Sequence, residues 1–314
     1  MNPKPQNSAL KRIGLFDSGV GGLSILRYLQ EKSAQNKQDL KFVYLGDTGR
    51  CPYGDRSPDE ISSFVEEIID WFNGAGVDRI IMACNTSAAI AAPLARRLAK
   101  VPVHDLISSA SQFAAANFKS VGVLATSATC RSNAFFRAIK SHNSNIRVCE
   151  IACPDLVPMV ERGVLSGPEV DATISKYVQQ LKDFGADSLI FGCTHFPFLD
   201  SAFRQQLGES IAFIDPAVHL GDEVLGATVG SANTPVATAA FQRNTYFCSG
   251  ELEPFARAAE LCLNLSSGSL KEAVCSLSWD DQRPRANCQD SNERTVILQS
   301  PFFHARSNAT GQFS

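Results

Sequence analysis

Short apolar segments alternate with longer, helix-like segments along most of the chain. The apolar segments are rich in Val, Ile and Leu, and each is followed by polar or glycine-containing sequence. Continuous apolar runs of this kind are typical of parallel strands that helices cover on both faces, so the pattern predicts an α/β fold. The predicted strands span residues 13–16, 41–45, 79–83, 120–125, 147–152 and 188–192. Ligands of such sheets bind beyond the carboxyl ends of the strands, where we expect the functional residues.

The two halves of this strand-rich region resemble each other. IGLFDSGVGG in the first half is similar to VGVLATSATC in the second, and FVYLGD is similar to RVCEIA. IIMACNTSAA matches LIFGCTHFPF, which places Cys84 opposite Cys193. The separation between matched segments is nearly the same in all three pairs, and such recurrence indicates a duplicated unit. A generic likeness between βα units is the alternative.

Composition and charge exclude several classes of protein. The chain has 314 residues, of which 44% are hydrophobic and 19% charged, and its net charge is -3. These values are typical of a globular protein, and without a dense Lys/Arg run we expect no nucleic acid and no membrane as partner. The N-terminal residues lack an apolar signal segment and no later stretch is long enough to span a membrane, so we expect a cytoplasmic protein. Ten scattered cysteines without a CxxC pair predict reduced thiols.

The first thiol motif follows a predicted buried strand. The segment RIIMACNTSAAIAAPLARRLA leads from that strand through Cys84, Asn85 and Thr86 into an Ala-rich helix. A helix N-terminus presents unpaired amides and favours an anion, so this position predicts a lowered pKa for the Cys84 thiol. Asn85 and Thr86 offer hydrogen bonds to a substrate carboxylate or ammonium group. A buried structural cysteine with ordinary capping residues is the alternative interpretation.

The second thiol motif, SLIFGCTHFPFL, also ends a predicted strand. Cys193, Thr194 and His195 follow that strand directly. The His195 imidazole is two residues from the thiol and could exchange a proton with the sulfur or with a substrate. A Cys-x-His pair also occurs at structural positions and in zinc sites, but further ligands at suitable spacing are not evident nearby, so we expect no metal.

Two further loops follow the first two strands. DSGVGG places Asp17 and Ser18 before a glycine-rich turn whose amides could hold a carboxylate. This turn matches neither a Walker loop nor a dinucleotide motif. Asp17 either orients or deprotonates a neighbouring group, or caps the following helix. The loop GDTGRCPYGDRS forms a rigid Pro-Tyr-Gly turn that identifies no function on its own, and we interpret Cys51 within it as incidental.

Five segments resemble the motifs of the glutamate racemase family in their order, spacing and residues. They are DSGVGG, GDTGRCPYGDRS, ACNTSA, PDLVPMVERG and GCTHFP. The resemblance implies that Cys84 and Cys193 are the acid/base thiols of an isomerase that interconverts L-glutamate and D-glutamate. The assisting groups that it implies are Asp17, Glu161 and His195. The substrate-binding residues that it implies are Asp17, Ser18, Pro52, Tyr53, Gly54, Asn85, Thr86, Thr126, Thr194 and His195.

The resemblance also implies a mechanism. Pseudo-twofold symmetry places one thiol on each face of the substrate's α carbon, so that one thiol removes the proton and the other returns a proton on the opposite face. Cys193 is expected to deprotonate the L isomer and Cys84 the D isomer. No cofactor is implied, so electrostatics and hydrogen bonds in a closed cleft must stabilise the carbanion. The product would supply peptidoglycan synthesis and thereby cell wall and cell shape. The implied partner is glutamate, and a homodimer is one assembly that the sequence leaves open.

The family pattern implies two pseudo-symmetric domains, each with a parallel β-sheet flanked by helices, and an active site in the cleft between them. The first domain spans 11–105 and is completed by 218–264, the second spans 106–217, and 1–10 form an N-terminal tail. Residues 265–314 lack a regular apolar pattern outside RTVILQ and predict a flexible tail with no catalytic part. VHDLISSA departs from the family's Glu-Pro-Gly-like segment and leaves the interdomain hinge undefined.

Two other functions remain open on the sequence. The first is a related racemase for aspartate or another amino acid, although such relatives tend to carry Glu at the position of His195 and a different first glycine loop. The second is a non-catalytic regulator that binds an amino acid. A regulator has no use for a reactive sulfur on each face of its ligand, so the pair of thiols favours an enzyme.

Overall fold

The computed structural model describes residues 11–226, 241, 243–270, 273–279 and 285–287. Strands and helices alternate through the first of these ranges, as the apolar pattern predicts. The strands there are β1 (Lys11–Asp17), β2 (Leu40–Gly46), β3 (Arg79–Met82), β4 (Val103–Asp105), β5 (Ser120–Ala125), β6 (Arg147–Ala152), β7 (Ser188–Gly192) and β8 (Ala212–Ile214). The α-helices are α1 (Gly22–Gln35), α2 (Pro58–Gly74), α3 (Asn85–Leu98), α4 (Leu106–Asn117), α5 (Ser127–Ser132), α6 (Ala134–His142), α7 (Leu156–Glu161), α8 (Pro168–Phe184), α9 (Asp200–Leu207) and α10 (Pro216–Leu225). Short 3-10 turns occupy Tyr53–Asp55, Phe196–Leu199 and Gly208–Ser210.

Local capping signals explain where several helices begin. Ser57 accepts a hydrogen bond from the amide of Glu60, whose side chain accepts one from the amide of Ser57, and Pro58 opens α2. This reciprocal capping box satisfies donors that the helix leaves unpaired. Asp105 caps α4 by accepting from the amide of Ser108. Each of these side chains lies within three residues of the amide that it caps.

Among the described residues, the first sheet has seven strands, and elements after residue 243 complete it. The additional elements are β9 (Thr245–Cys248), α11 (Leu252–Cys262), β10 (Val274–Ser278) and β11 (Arg285–Asn287). The strand order is β11-β10-β9-β2-β1-β3-β4, and all neighbours are parallel except β10 and β11. The chain therefore returns to the first sheet after it has formed the second.

The second sheet repeats the strand order of the first. It has four parallel strands in the order β6-β5-β7-β8, which corresponds to β2-β1-β3-β4. β5 takes the central place of β1, and β7 takes the place of β3. The predicted α/β fold and its duplicated, pseudo-symmetric halves are therefore confirmed. Each predicted strand is present, and three of them begin and end where the apolar pattern places them.

Apolar packing joins the two sheets. Ile107 and Ala110 of α4 belong to the same buried cluster as Ile80 of β3 and Val121 of β5. Burial of this kind is the main favourable contribution to folding. The helix that follows the last strand of the first repeat is thus packed between the halves. Within the described residues, no helix is both long and apolar enough to span a membrane.

The segment after residue 264 differs from the predicted flexible tail. Val274, Cys275 and Leu277 are buried, and β10 pairs in parallel with β9. The prediction is wrong for this stretch because Ser276 and Ser278 interrupt the continuous apolar run that marks the other strands, although the apolar residues of the strand are buried. The prediction of reduced thiols is also wrong for Cys275, which is disulfide-bonded. RTVILQ and residues 1–10 lie outside the described residues, and the domain boundaries stay a prediction.

Candidate active site

A pocket of about 80 Å³ lies at the carboxyl ends of strands from both sheets. The loops after β1, β2 and β3 line it from one half, and the loops after β5, β6 and β7 from the other. The lining residues are Ser18, Cys51, Pro52, Tyr53, Gly54, Asp55, Cys84, Asn85, Thr86, Thr126, Ser127, Cys153, Pro154, Val157, Pro158, Cys193, Thr194 and His195. One water molecule needs roughly 10–15 Å³ of cavity volume, so the pocket has room for several water molecules or for one small ligand.

Cys84 lies directly before α3, as its sequence motif predicts. Its thiol lies 3.7 Å from the hydroxyl oxygen of Ser18. Burial and, to a smaller extent, the nearby Asp17 carboxyl raise the pKa of the Cys84 thiol to about 11, against the opposing effect of hydrogen bonds with Ser87 and Ser18. The predicted lowering of this pKa is therefore wrong, because desolvation and a neighbouring carboxylate outweigh the helix N-terminus.

Cys193 follows β7, at the place in the second half that Cys84 has in the first. Its sulfur lies 3.9 Å from Nδ1 of His195, and both side chains are buried. The hydroxyl of Thr194 donates to Oδ2 of Asp17 at 3.1 Å. The loop with the second thiol therefore contacts the first half of the molecule through Asp17.

Asp17 lies behind the pocket and does not line it. The amide of Gly19 donates to Oδ1 of Asp17 at 2.7 Å, and the hydroxyl of Ser18 lies 3.4 Å from the same oxygen. Burial raises the pKa of Asp17, and the charge of His195 is the largest opposing influence. Gly21 occupies the N-cap position of α1, so the interpretation of Asp17 as the cap of that helix is wrong.

Hydroxyl groups from the two halves meet at one wall of the pocket. Oγ1 of Thr86 and Oγ1 of Thr126 lie 3.0 Å apart, and Thr129 is within hydrogen-bond distance of both, at 3.3 and 2.9 Å. The Oδ1 atom of Asn85 is buried and has no hydrogen-bond partner among the described residues. A buried acceptor without a partner is costly, so a ligand donor such as an ammonium group would stabilise it.

The loop after β2 forms another side of the pocket. Pro52, Tyr53 and Gly54 line the pocket together with Cys51, although the sequence led us to interpret Cys51 as incidental. The hydroxyl of Tyr53 donates to the carboxylate of Asp47. A Cβ atom at Gly54 would lie 3.4 Å from Cβ of Thr126, which is a van der Waals contact, so this loop lies directly against the second half.

Sequence reasoning missed part of the lining. The loop after β6 contributes Cys153, Pro154, Val157 and Pro158, most of them from the PDLVPMVERG segment whose contact residues the sequence did not identify. The duplicated strand order was the available signal, because it requires a third loop from the second half. Glu161 ends α7, and its side chain lies outside the described part of the structure. The described residues contain no group of three or more His, Cys, Asp or Glu side chains that could hold a metal ion.

Fold and pocket together define a duplicated α/β protein with a small-molecule site between the strand ends of its halves. The Asp/Glu/Hydantoin racemase family matches residues 13–220, and the chain belongs to that family. The protein is accordingly a racemase, which is an isomerase.

Relatives with known names agree with this membership. The glutamate racemase of Gloeobacter violaceus is 40% identical over 247 residues, which cover 79% of this chain and 90% of the relative. The crystal structure of a Francisella tularensis glutamate racemase with D-glutamate is similar with a TM-score of 0.71 and 30% identity, over 82% of this chain and 94% of that one. A Thermus thermophilus glutamate racemase with β-chloro-D-alanine has a TM-score of 0.69 and 30% identity, over 86% and 98%.

Proposed function

We propose that this protein interconverts L-glutamate and D-glutamate without a cofactor, with Cys84 and Cys193 as its acid/base pair. The observation that carries the proposal is the placement of the two thiols. They follow equivalent strands of the two halves, and both line one small pocket. The names of the relatives support glutamate as the substrate.

The proton transfers balance between the two sulfurs. Starting from L-glutamate, the Cys193 thiolate removes the α proton and becomes a thiol, while the electron pair stays on the α carbon. The Cys84 thiol then donates its proton to the opposite face and becomes a thiolate. The raised pKa of Cys84 supports this direction, because a thiol with a pKa of about 11 is protonated at neutral pH. In the reverse direction, Cys84 removes the proton and Cys193 returns one.

The pocket offers groups for the rest of the substrate. The unpaired Oδ1 of Asn85 is a suitable acceptor for the substrate ammonium group, and the hydroxyls of Thr86, Thr126 and Thr194 are available to its carboxylates. Since the two thiols and the polar side chains beside them are buried, hydrogen bonds and dipoles act there more strongly than in water, which favours the carbanion-like transition state. Asp17 and His195 adjoin the two thiols and would assist their proton transfers.

A chirality assay with the purified protein tests the substrate. We expect L-glutamate and D-glutamate each to be converted to the racemate, with solvent deuterium incorporated at the α carbon. Turnover of aspartate without turnover of glutamate would assign the protein to the related activity. An absence of deuterium incorporation at any pH would indicate a binding protein and overturn the proposal.

Single thiol variants test the mechanism. In Cys84→Ala, we expect deuterium exchange at the α carbon of L-glutamate to persist through Cys193, while exchange into D-glutamate is lost. Cys193→Ala should show the opposite pattern. An equal loss of both exchange reactions in each variant would contradict the assignment of one thiol to each isomer.

The wider role is part of the same proposal. D-glutamate made by this activity would serve peptidoglycan synthesis and cell shape, and the enzyme would act in the cytoplasm. A homodimer and the assisting role of Glu161 stay predictions. Depletion of the protein in its host, followed by growth with and without added D-glutamate, would test the cellular role.

A further inference from the structure

The strand that extends the first sheet ends beside a loop of the pocket. Trp279 follows β10 directly, and its indole N–H donates to Oδ1 of Asp47 at 2.8 Å. Asp47 opens the loop after β2, which carries Pro52, Tyr53 and Gly54 to the pocket. Trp279 lies well beyond residues 13–220, over which the chain matches its family.

Asp47 is the anchor of this loop. Its side chain is fully buried. Oδ1 accepts from Ser249 at 2.6 Å as well as from Trp279, and Oδ2 accepts from Nε of Arg50 at 2.7 Å and from the hydroxyl of Tyr53. Four donors therefore surround one carboxylate, two on each oxygen. A buried carboxylate in such a network is held in one position, because the loss of any donor leaves one of its lone-pair sites unsatisfied.

Arg50 forms a second contact between the strand extension and the loop. Its guanidinium carbon lies 4.2 Å from the ring centre of Trp279 and 4.2 Å from that of Phe64. The same guanidinium pairs with Asp47 and with Glu67. A guanidinium near two aromatic rings is favoured by cation–π attraction. Trp279 thus contacts the loop through both its N–H and its ring.

We propose that Trp279 is a positioning residue for the substrate-binding loop at 47–55, so that the C-terminal strand extension forms part of the active-site architecture. Trp279 does not line the pocket and acts through Asp47, which holds Tyr53. This inference rests on the proposed function for its kinetic consequence. A loop that is ordered before binding does not have to be ordered by the substrate, so loss of this support raises KM and leaves kcat nearly unchanged.

Two variants remove single donors, and a third serves as a matched control. Trp279→Phe keeps a ring over Arg50 but lacks the N–H, and Ser249→Ala removes the other donor to Oδ1 of Asp47 together with the acceptor of the Gly49 amide. In each we expect KM for glutamate to rise about fivefold, with kcat changed less than about twofold. Leu277→Ala removes a buried side chain from the same strand, so it should lower the unfolding temperature without raising KM. Equal KM values in Trp279→Phe and the wild type, or an equal rise in Leu277→Ala, would overturn the proposal.

Hydrogen exchange tests the loop independently of catalysis. The amides of Gly49 and Arg50 donate to Ser249 and to the carbonyl of Asp47, so the intact loop protects them. We expect peptides that span 47–56 to exchange about fivefold faster in Trp279→Phe than in the wild type or in Leu277→Ala. Unchanged exchange would overturn the inference. A wild type that does not racemise glutamate would refute the proposed function alone, since the exchange measurement would still decide the role of Trp279.

Discussion

Cys84 follows β3 of the first sheet, and Cys193 follows β7 of the second, at equivalent places in the repeated strand order. Their neighbours differ. The Cys84 thiol lies near Ser18 and the Asp17 carboxyl, and its pKa is raised to about 11, whereas the Cys193 thiol lies 3.9 Å from the imidazole of His195. Duplication has placed two thiols symmetrically, and the side chains around them are not symmetric.

This difference suits a reaction that needs unlike partners. A racemase must hold one group as a base while the other is an acid, and it must exchange these roles when it acts on the other isomer. A carboxylate disfavours a thiolate beside it, as Asp17 does at Cys84. The Asp17 and His195 side chains also couple the surroundings of the two thiols, because His195 opposes the rise of the Asp17 pKa. Four predictions test how far the surroundings of the two thiols differ.

Loss of Asp17 or His195, the proposed assisting groups, should have the largest effect. We expect Asp17→Asn and His195→Asn each to lower kcat/KM by about a hundredfold. The fall must be equal in both directions because enantiomers have equal free energy in water. Isotope effects with α-deuterated substrate should distinguish the two thiol steps. We expect a larger effect for D-glutamate in Asp17→Asn and for L-glutamate in His195→Asn. The same isotope effects in both variants would contradict the assignment of each group to one thiol.

The raised pKa of Cys84 predicts a distinctive pH dependence of alkylation. Only the thiolate reacts, so at pH 8 Cys84 should be alkylated about a hundredfold more slowly than a free cysteine. Its rate should rise about tenfold for each pH unit and level off near pH 11. Peptide mapping by mass spectrometry measures this rate. In Asp17→Asn the plateau should move to lower pH, because the carboxylate that raises the pKa is absent. A plateau by pH 9 in the wild type would refute the prediction.

Two glycines of DSGVGG offer a matched pair of variants. A Cβ atom at Gly21 would lie 2.8 Å from Cβ of Thr194 and closer still to its hydroxyl, whereas at Gly19 the nearest atom would be Sγ of Cys51 at 3.7 Å. Gly21→Ala should therefore displace Thr194 from Asp17 and lower kcat/KM by about tenfold. Gly19→Ala should have little effect. Equal activity of the two variants would show that the first glycine loop does not position the second thiol loop.

The smallest effect is expected at Thr129, which the sequence did not identify. Its hydroxyl joins those of Thr86 and Thr126 across the two halves. Thr129→Val keeps the shape and removes the hydroxyl, so KM should rise about threefold. Thr129→Ser should restore the wild-type value because it returns the hydrogen bond. A steady-state titration with glutamate measures both, and a serine variant as impaired as the valine variant would point to packing as the role of this residue.

The sequence determined the fold class, the duplication and the two thiol positions. Apolar runs define buried strands locally, so β5, β6 and β7 have their predicted bounds, and the start of α3 directly after Cys84 was also correct. The matched spacing of the two cysteine motifs required equivalent loops, which the repeated strand order confirms. The three-residue strands β4 and β8 escaped prediction because so short a run shows no period.

Tertiary structure alone decided the environment of each site residue. Thr194 reaches Asp17 across 177 positions of sequence, and Trp279 reaches Asp47 across 232. The direction in which the Cys84 pKa shifts depends on burial and on the Asp17 carboxyl. Neither can be inferred from the position of Cys84 before a helix. Periodicity and capping act between residues a few positions apart, and a sequence records them directly. Desolvation, charge and hydrogen-bond partners depend on distances that exist only after the chain has folded.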